Sequence, residues 1–179
     1  MFTLIVGGAA SGKSEYAEQL AVAAPATRRF YIATMQPFDE ETYRRIDRHR
    51  RMRAEKNFQT VECYTNLSSV EVPGDSTVLL ECVSNLCANE VFSPEGSGDG
   101  AVEAIRKGVE QLKQQCGELI VVSNEVFSGG TDYEGDTLRY MRYLGQANQE
   151  LAAMAENVCE VTCGIPFWHK GGEFFRDLV

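Results

Sequence analysis

Near its amino terminus the chain carries a glycine-rich segment whose residue types and spacing suit the binding of a phosphate chain. Residues 7–14 read Gly-Gly-Ala-Ala-Ser-Gly-Lys-Ser and satisfy the pattern G-x-x-x-x-G-K-[ST]. Glycines let the backbone turn so that its N–H groups converge on phosphate oxygens. Lys13 would bridge the β- and γ-phosphates of a nucleoside triphosphate, and the Ser14 hydroxyl would hold Mg²⁺. The alternative is an ordinary glycine-rich turn, but an apolar run before the segment and a helical pattern after it favour phosphate binding.

A second group of residues with chemical potential lies in a basic stretch. Residues 44–56 hold seven of the 17 Lys and Arg residues of the chain. On a helix Arg45, His49 and Arg53 would share one face, because they are spaced four residues apart. The neighbouring cations disfavour imidazolium, so a neutral His49 could attack phosphorus and carry a covalent phosphoramidate. The alternative, which the residues alone favour slightly, is a solvated basic helix in which His49 is incidental.

A carboxylate ends one of the apolar runs. Residues 78–81 read Val-Leu-Leu-Glu, and Glu81 could act on Mg²⁺ or on water in the way that an aspartate at a strand end does in many nucleotide-hydrolysing enzymes. The alternative is a carboxylate that meets solvent where a strand ends, and the sequence does not decide between the two. No N-K-x-D motif follows, which argues against a switch-type GTPase.

Composition excludes several classes of protein. The 179 residues carry a net charge of −9, so a diffusely basic surface that coats nucleic acid or an anionic membrane is not expected. No apolar run reaches the ~18–20 residues that a membrane span requires, and the first residues lack the pattern of a signal peptide. The six cysteines form no C-x-x-C pair, which favours free thiols in a reducing, cytoplasmic compartment.

The elements that must position these residues follow from the hydrophobic pattern. Near-continuous apolar runs predict strands buried on both faces of a parallel sheet, at residues 2–6, 30–33, 78–81, 119–123 and 158–162. Residues 58–63 alternate more and predict an edge strand. Helices are predicted at residues 13–24, 39–53 and 101–115, with a further long helix capped by Asp136 and a loop-like tail at 164–172 that contains His169. We therefore expect a single α/β domain over residues 1–179, with a mostly parallel sheet flanked by helices.

Several segments, taken in order along the chain, resemble one enzyme family. They are residues 7–15, Tyr-Ile-Ala-Thr at 31–34, Arg-Ile-Asp-Arg-His-Arg at 45–50, Thr-Val-Glu-Cys at 60–63, Leu-Leu-Glu-Cys at 79–82 with Asn89, Ser-Asn-Glu-Val at 123–126, Leu-Gly-Gln-Ala-Asn-Gln at 144–149 and Gly-Ile-Pro at 164–166. Together they resemble the bifunctional adenosylcobinamide kinase / adenosylcobinamide-phosphate guanylyltransferase family of cobalamin biosynthesis. The resemblance spans nearly the whole chain, although residues 127–134 depart from the family pattern.

The resemblance implies a RecA-like P-loop NTPase fold, a homotrimer and a set of roles for individual residues. It implies that His49 carries GMP and that the triphosphate is bound by Gly7, Gly8, Ala9, Ala10, Ser11, Gly12, Lys13 and Ser14. It also implies that the guanine nucleotide site is lined by Thr34, Met35, Gln36, Arg50, Arg51, Met52, Arg53, Glu62 and Glu81. The expected partners are GTP, ATP and the corrinoid adenosylcobinamide, with Mg²⁺ held at Ser14.

Two other functions remain open on the residues alone. The first is a monofunctional P-loop kinase of a small alcohol, in which His49 only holds phosphates. The second is a non-catalytic regulatory module that binds GTP without covalent chemistry. The bifunctional hypothesis names His49 and Lys13 as catalytic residues, and it differs from both alternatives in requiring His49 to act as a nucleophile.

Overall fold

A sheet with one antiparallel edge organises the molecule. The computed structural model describes residues 1–26, 28–37, 56–127 and 133–175. Within these residues the sheet has seven strands: β1 (Phe2–Gly7), β2 (Arg28–Ala33), β3 (Phe58–Glu62), β4 (Ser76–Glu81), β5 (Glu118–Asn124), β6 (Asn157–Thr162) and β7 (Ile165–Lys170). Their order is β3-β2-β4-β5-β1-β6-β7. All neighbouring strands in this order pair in parallel except β6 and β7, which pair antiparallel.

Helices cover both faces of this sheet. They are α1 (Lys13–Ala23), α2 (Val83–Phe92), α3 (Ala101–Gln115) and α4 (Gly135–Met154), and short 3-10 turns occur at Leu67–Ser69, Gly98–Gly100 and Glu173–Phe175. On one face, α2, α3 and α4 pack on sheet residues such as Leu4, Leu80 and Val121. On the other face, Tyr16 and Leu20 of α1 pack on residues that alternate with those, because successive side chains of a strand point to opposite faces. The two-sided burial explains the continuous apolar runs in the sequence.

The predicted strands and the edge position of β3 are confirmed, and two expectations were wrong. Residues 164–172 are not a loop, because residues 165–170 form β7. Pro166 is tolerated in this strand because β7 lies at the edge of the sheet. Asp136 lies in the first turn of α4 and does not cap it, because Glu134 occupies the cap position. Helix α2 was not predicted, and the helix expected at residues 39–53 lies outside the described residues.

The carboxyl ends of the parallel strands meet along one edge, which is where α/β proteins of this type bind ligands. Gly7, Glu62, Glu81 and Asn124 are the final residues of their strands and therefore lie at this edge. Among the described helices, none is long and apolar enough to cross a bilayer.

Candidate active site

Close packing requires glycine at positions 7 and 12, the two glycines that the motif specifies where β1 leads through the loop to α1. A Cβ on Gly7 would lie 2.6 Å from both the Ser11 Oγ and the Val161 carbonyl oxygen. Gly12 has a φ of +90°, a left-handed conformation that disfavours side chains. A Cβ on Gly12 would also lie 3.1 Å from the Gly164 Cα. The loop is therefore folded tightly against the end of β6 and the turn that follows it.

Lys13 is held over this loop from the first turn of α1. Its side chain is buried, and its Nζ donates a hydrogen bond of 3.0 Å to the Gly8 carbonyl. Helix α1 begins at Lys13, so its first N–H groups lack intrahelical acceptors and face the loop with the positive end of the helix dipole. Ser14 is half-buried in the same turn, and Ala9 and Ala10 are exposed at the tip of the loop. The arrangement of Lys13 and the helix N-terminus suits the binding of phosphate oxygens.

The Ser11 side chain is a further polar group at the loop. Its Oγ is buried and has no hydrogen-bond partner in the part of the chain that the structure describes. The Ser11 N–H donates to the Gly8 carbonyl at 3.3 Å, and the Ser11 carbonyl accepts from the Gly164 N–H at 2.8 Å. The backbone of Ser11 is thus tied on both sides.

Glu81 ends β4 and is oriented by a neighbouring strand. The Tyr31 hydroxyl donates to the Glu81 Oε2 over 3.1 Å. Tyr31 is buried, and its ring meets Phe58 of β3 edge-on at 6.3 Å between centroids. The carboxylate is therefore held at the strand end by a fixed donor.

Thr34 fastens the ends of β2 and β4 together. It is fully buried, and its hydroxyl donates to the Cys82 carbonyl over 2.9 Å and accepts from the Cys82 N–H at 2.8 Å. Its own carbonyl accepts from the Asn89 side-chain amide of α2 at 2.8 Å. In the structure the polar groups of Thr34 are thus engaged in bracing the site.

A polar network continues from this brace toward the glycine-rich loop. The Asn124 side-chain amide donates to the Ser84 Oγ over 2.6 Å, and the Asn148 amide donates to the Asn124 carbonyl over 3.2 Å. The next residue, Glu125, donates its N–H to the Gly7 carbonyl at 3.0 Å. Sequence reasoning gave Ser84, Asn124 and Asn148 no role. Both asparagines lie in segments that resemble the family, and this resemblance was the only sequence signal that could have identified them.

An open cavity of about 340 Å³ lies beside β3 and includes Glu62 in its lining. The Glu62 carboxylate is exposed and accepts a hydrogen bond of 2.9 Å from the Tyr64 hydroxyl. Glu71 also lines this cavity. Met35 and Gln36, which follow β2, are half-buried. Hydrogen-bond acceptors and a concave surface therefore lie at the carboxyl ends of the strands, where the glycine-rich loop also lies.

Several expected site residues lie outside the described residues. They are His49, Arg50, Arg51, Met52 and Arg53. The first described residue after them, Lys56, forms an ion pair with Glu18 of α1. Glu18 is buried, so this pair anchors Lys56, just before β3, beside α1.

Together, the parallel sheet and the strand–loop–helix unit define a P-loop nucleotide-binding α/β protein. The fold is similar to that of a solved prototypical ATPase from the type III secretion system of pathogenic bacteria, with a TM-score of 0.52 and 9% identity over 90% of this chain and 51% of that chain. Residues 3–168 match the model of the cobinamide kinase / cobinamide phosphate guanyltransferase family, and the chain belongs to this family.

Characterised relatives support the assignment to this family. The chain is 34% identical to the bifunctional adenosylcobalamin biosynthesis protein CobU of Escherichia coli (strain K12), over 92% of this chain and 97% of the relative. It is 35% identical to the Salmonella typhimurium protein of the same name over the same shares. It is 34% identical to the bifunctional adenosylcobalamin biosynthesis protein CobP of Pseudomonas aeruginosa, over 96% of this chain and 98% of the relative. The resemblance found in the sequence is confirmed.

Proposed function

We propose that this chain is a bifunctional transferase of cobalamin biosynthesis. It phosphorylates adenosylcobinamide with a nucleoside triphosphate and then transfers GMP from GTP to the new phosphate, giving adenosylcobinamide-GDP. Membership of the family over residues 3–168 supports both activities. The observation that carries the proposal is the intact phosphate loop, in which Lys13 lies over the loop backbone and the N-terminus of α1 faces the same place.

In the kinase step the loop residues Gly7 to Ser14 hold the triphosphate. The hydroxyl of the aminopropanol arm attacks the γ-phosphorus, the bond from that phosphorus to the β–γ bridging oxygen breaks, and the nucleoside diphosphate leaves. Lys13 and the backbone N–H groups offset the negative charge of the phosphoryl oxygens, so that catalysis consists mainly of positioning and electrostatic stabilisation. Glu81, oriented by Tyr31, is our candidate to accept the proton of the hydroxyl.

The residues at the loop also suit Mg²⁺. No group of three or more His, Cys, Asp or Glu residues able to hold a metal occurs among the described residues. Mg²⁺ needs no such cage, because it commonly takes one or two protein oxygens together with phosphates and waters. The Ser14 hydroxyl provides an oxygen donor of this kind, and Glu81 lies at the same carboxyl edge of the sheet. When bound, the ion would neutralise phosphate charge.

In the guanylyltransferase step His49 is the proposed nucleophile. A ring nitrogen of neutral His49 attacks the α-phosphorus of GTP, and pyrophosphate leaves as the α–β bridging bond breaks. An oxygen of the adenosylcobinamide phosphate then attacks the same phosphorus, the P–N bond breaks, and His49 is regenerated. A covalent intermediate suits a single loop, because pyrophosphate departs before the second anionic substrate arrives. The arginines that neighbour His49 in the sequence, including Arg50, Arg51 and Arg53, would stabilise the charge that develops at phosphorus.

Recognition of guanine is proposed for the cavity beside β3. A carboxylate accepts two hydrogen bonds side by side, which matches the N1–H and amino donors of guanine and does not match adenine. Glu62 lines this cavity of about 340 Å³ and keeps an exposed carboxylate. The proposed neighbours of the nucleotide are Thr34, Met35, Gln36, Met52 and Glu81.

We further propose that the protein assembles as a homotrimer. The edge strand β7 exposes Ile165 and Phe167, with relative exposures of 69% and 64%. Large apolar side chains in this position favour burial against another copy. Light scattering coupled to size-exclusion chromatography tests the stoichiometry directly.

Product analysis distinguishes the proposed function from its rivals. The full chain is incubated with adenosylcobinamide, ATP, GTP and Mg²⁺, and the corrinoids are separated and identified by mass. We expect both the phosphate and the GDP adduct from the wild type, neither from Lys13→Ala, and only the phosphate from His49→Ala. Lys107→Ala, which removes a lysine exposed on α3, is the matched control and should behave as wild type. Phosphate alone from the wild type would support a monofunctional kinase, and GTP binding without any product would support a regulatory module.

A further inference from the structure

The β6–β7 turn touches the phosphate loop at more than one place. The Gly164 N–H donates to the Ser11 carbonyl over 2.8 Å. The Gly164 Cα packs so closely on Gly12 that a Cβ on Gly12 would lie 3.1 Å from it, and the Val161 carbonyl occupies the space that a Cβ on Gly7 would need. The residues that make these contacts with the loop, Val161 and Gly164, lie outside the loop itself. The hairpin therefore forms one wall of the loop.

The Gly164–Ser11 hydrogen bond also orients the N–H of Gly12. A peptide unit is planar and trans, so its C=O and N–H point in opposite directions. The Ser11 carbonyl points at the turn, and the N–H of Gly12 in the same peptide unit is therefore directed away from the turn. In loops of this type that N–H is one of the groups aimed at phosphate oxygens. Fixing the carbonyl fixes the orientation of the phosphate donor.

The hairpin is rigid enough to serve this purpose. Cys163 and Gly164 both have left-handed φ values, 52° and 78°, which make the turn tight. On the β7 side, Trp168 packs edge-on against Tyr16 of α1 with 6.4 Å between ring centroids, and it stacks on Phe175 at 5.4 Å. The same hairpin is thus anchored to the helix that follows the loop.

We propose that the Gly164 backbone N–H is a positioning group for nucleotide binding, because it sets the orientation of the Ser11–Gly12 peptide. This inference rests on the proposed role of the loop as the triphosphate site. It assigns a functional role to the antiparallel hairpin, which lies beyond the parallel strands that carry the site. Gly164 acts through Ser11 and Gly12 and touches no reacting atom.

Substitutions at position 164 test this role without steric interference from the described residues, none of which lies within 4 Å of the position that a Cβ on Gly164 would occupy. Gly164→Val opposes the left-handed conformation and should reorient the turn, whereas Gly164→Asn tolerates it. The matched control is Gly98→Val, at another glycine with a left-handed φ (56°) and, among the described residues, no atom within 4 Å of the Cβ position. Gly98 precedes α3, which packs on the face of the sheet opposite to α1.

The readout is the steady-state kinetics of the kinase step together with equilibrium binding of a fluorescent GTP analogue. We expect Gly164→Val to raise KM and Kd roughly tenfold, the loss of one hydrogen bond. Because the phosphates are held in ground and transition state alike, kcat should change less than about threefold. Gly164→Asn should stay within about twofold of wild type, since it retains the N–H in the required conformation.

The outcomes separate this inference from the function on which it rests. Unchanged KM and Kd in folded Gly164→Val overturn the inference, as does an equal rise in Gly98→Val. If Gly164→Val does not fold, Gly164→Ala carries the test with an expected rise of about threefold, which reflects its smaller strain. Lys13→Ala is measured in parallel: lost binding there with wild-type binding in the Gly164 variants refutes only the positioning role. Unchanged binding in Lys13→Ala refutes the loop as the nucleotide site.

Discussion

Replacement of Thr34 by valine should destabilise the fold more than it impairs chemistry. Valine is nearly isosteric with threonine, but it removes the hydroxyl that both accepts from and donates to the Cys82 backbone. The Cys82 carbonyl retains a second bond, from the Leu86 N–H at 3.1 Å, so only the Cys82 N–H is left unsatisfied. An unsatisfied buried donor costs ~1–3 kcal/mol, and the lost hydroxyl bond adds ~0.5–1 kcal/mol.

The expected loss of unfolding free energy for Thr34→Val is therefore about 1.5–4 kcal/mol. For a chain of this length that corresponds to a fall in Tm of roughly 3–16 °C. Urea denaturation followed by circular dichroism measures the free energy, and GTP binding is measured well below the unfolding transition. Thr34→Ser is the control, because it retains the hydroxyl and should recover most of the stability. A Thr34→Val protein of wild-type stability that has lost GTP affinity would refute this reasoning and would place the Thr34 side chain against the nucleotide.

Other predictions follow from single contacts. Tyr31→Phe releases the Glu81 carboxylate and should lower kcat of the kinase step about 3- to 10-fold with little change in KM, as measured by coupled assay; an unchanged kcat would remove Glu81 from the chemistry. Gly108→Ala should lower the free energy of unfolding by ~1–3 kcal/mol, because its Cβ would lie 2.6 Å from the Leu67 Cβ. Gly145→Ala, where the nearest atoms are in ordinary contact at 3.4 Å, should be neutral or stabilise by up to ~1 kcal/mol, and equal destabilisation of the two helices would contradict the packing argument. Burial raises the pKa of four thiols and two phenols above their ordinary values of 9.0 and 10.0. The pKa rises to about 11 for Cys63, Cys116 and Cys159, and to about 12 for Cys87, Tyr16 and Tyr140. Because these groups ionise more readily in the unfolded chain, stability should be full below about pH 9 and fall as the pH rises toward 12. Under reducing conditions the urea midpoint should drop across that window and drop less steeply in Cys87→Ala; a flat profile would contradict the burial of these groups.

The parallel strands and the phosphate loop could be predicted because their signals are local. Strands buried on both faces read as continuous apolar runs, and the G-x-x-x-x-G-K-[ST] spacing marks the loop before any fold is known. The helices predicted at residues 13–24 and 101–115 agree with α1 and α3 to within one residue at Ala23 and without error at Gln115.

The remaining parts depend on contacts that the local sequence does not encode. β7 contains Pro166 between glycine-rich ends, and only its place at the sheet edge makes a proline acceptable there. The brace formed by Thr34 and Cys82 joins residues 48 positions apart, so no spacing rule could indicate it. The bond between Gly164 and Ser11 likewise becomes visible only when β6 lies beside β1.

Covalent labelling with GTP tests the central claim most directly. The full chain is incubated with Mg²⁺ and GTP labelled at the α-phosphate, denatured and separated from free nucleotide. We predict a protein-bound label that is labile in acid and stable in base, present in the wild type and in His169→Ala and absent from His49→Ala. His169 is the only other histidine of the chain, which makes it the matched control. Absence of label from the wild type, or its persistence in His49→Ala, would contradict the account.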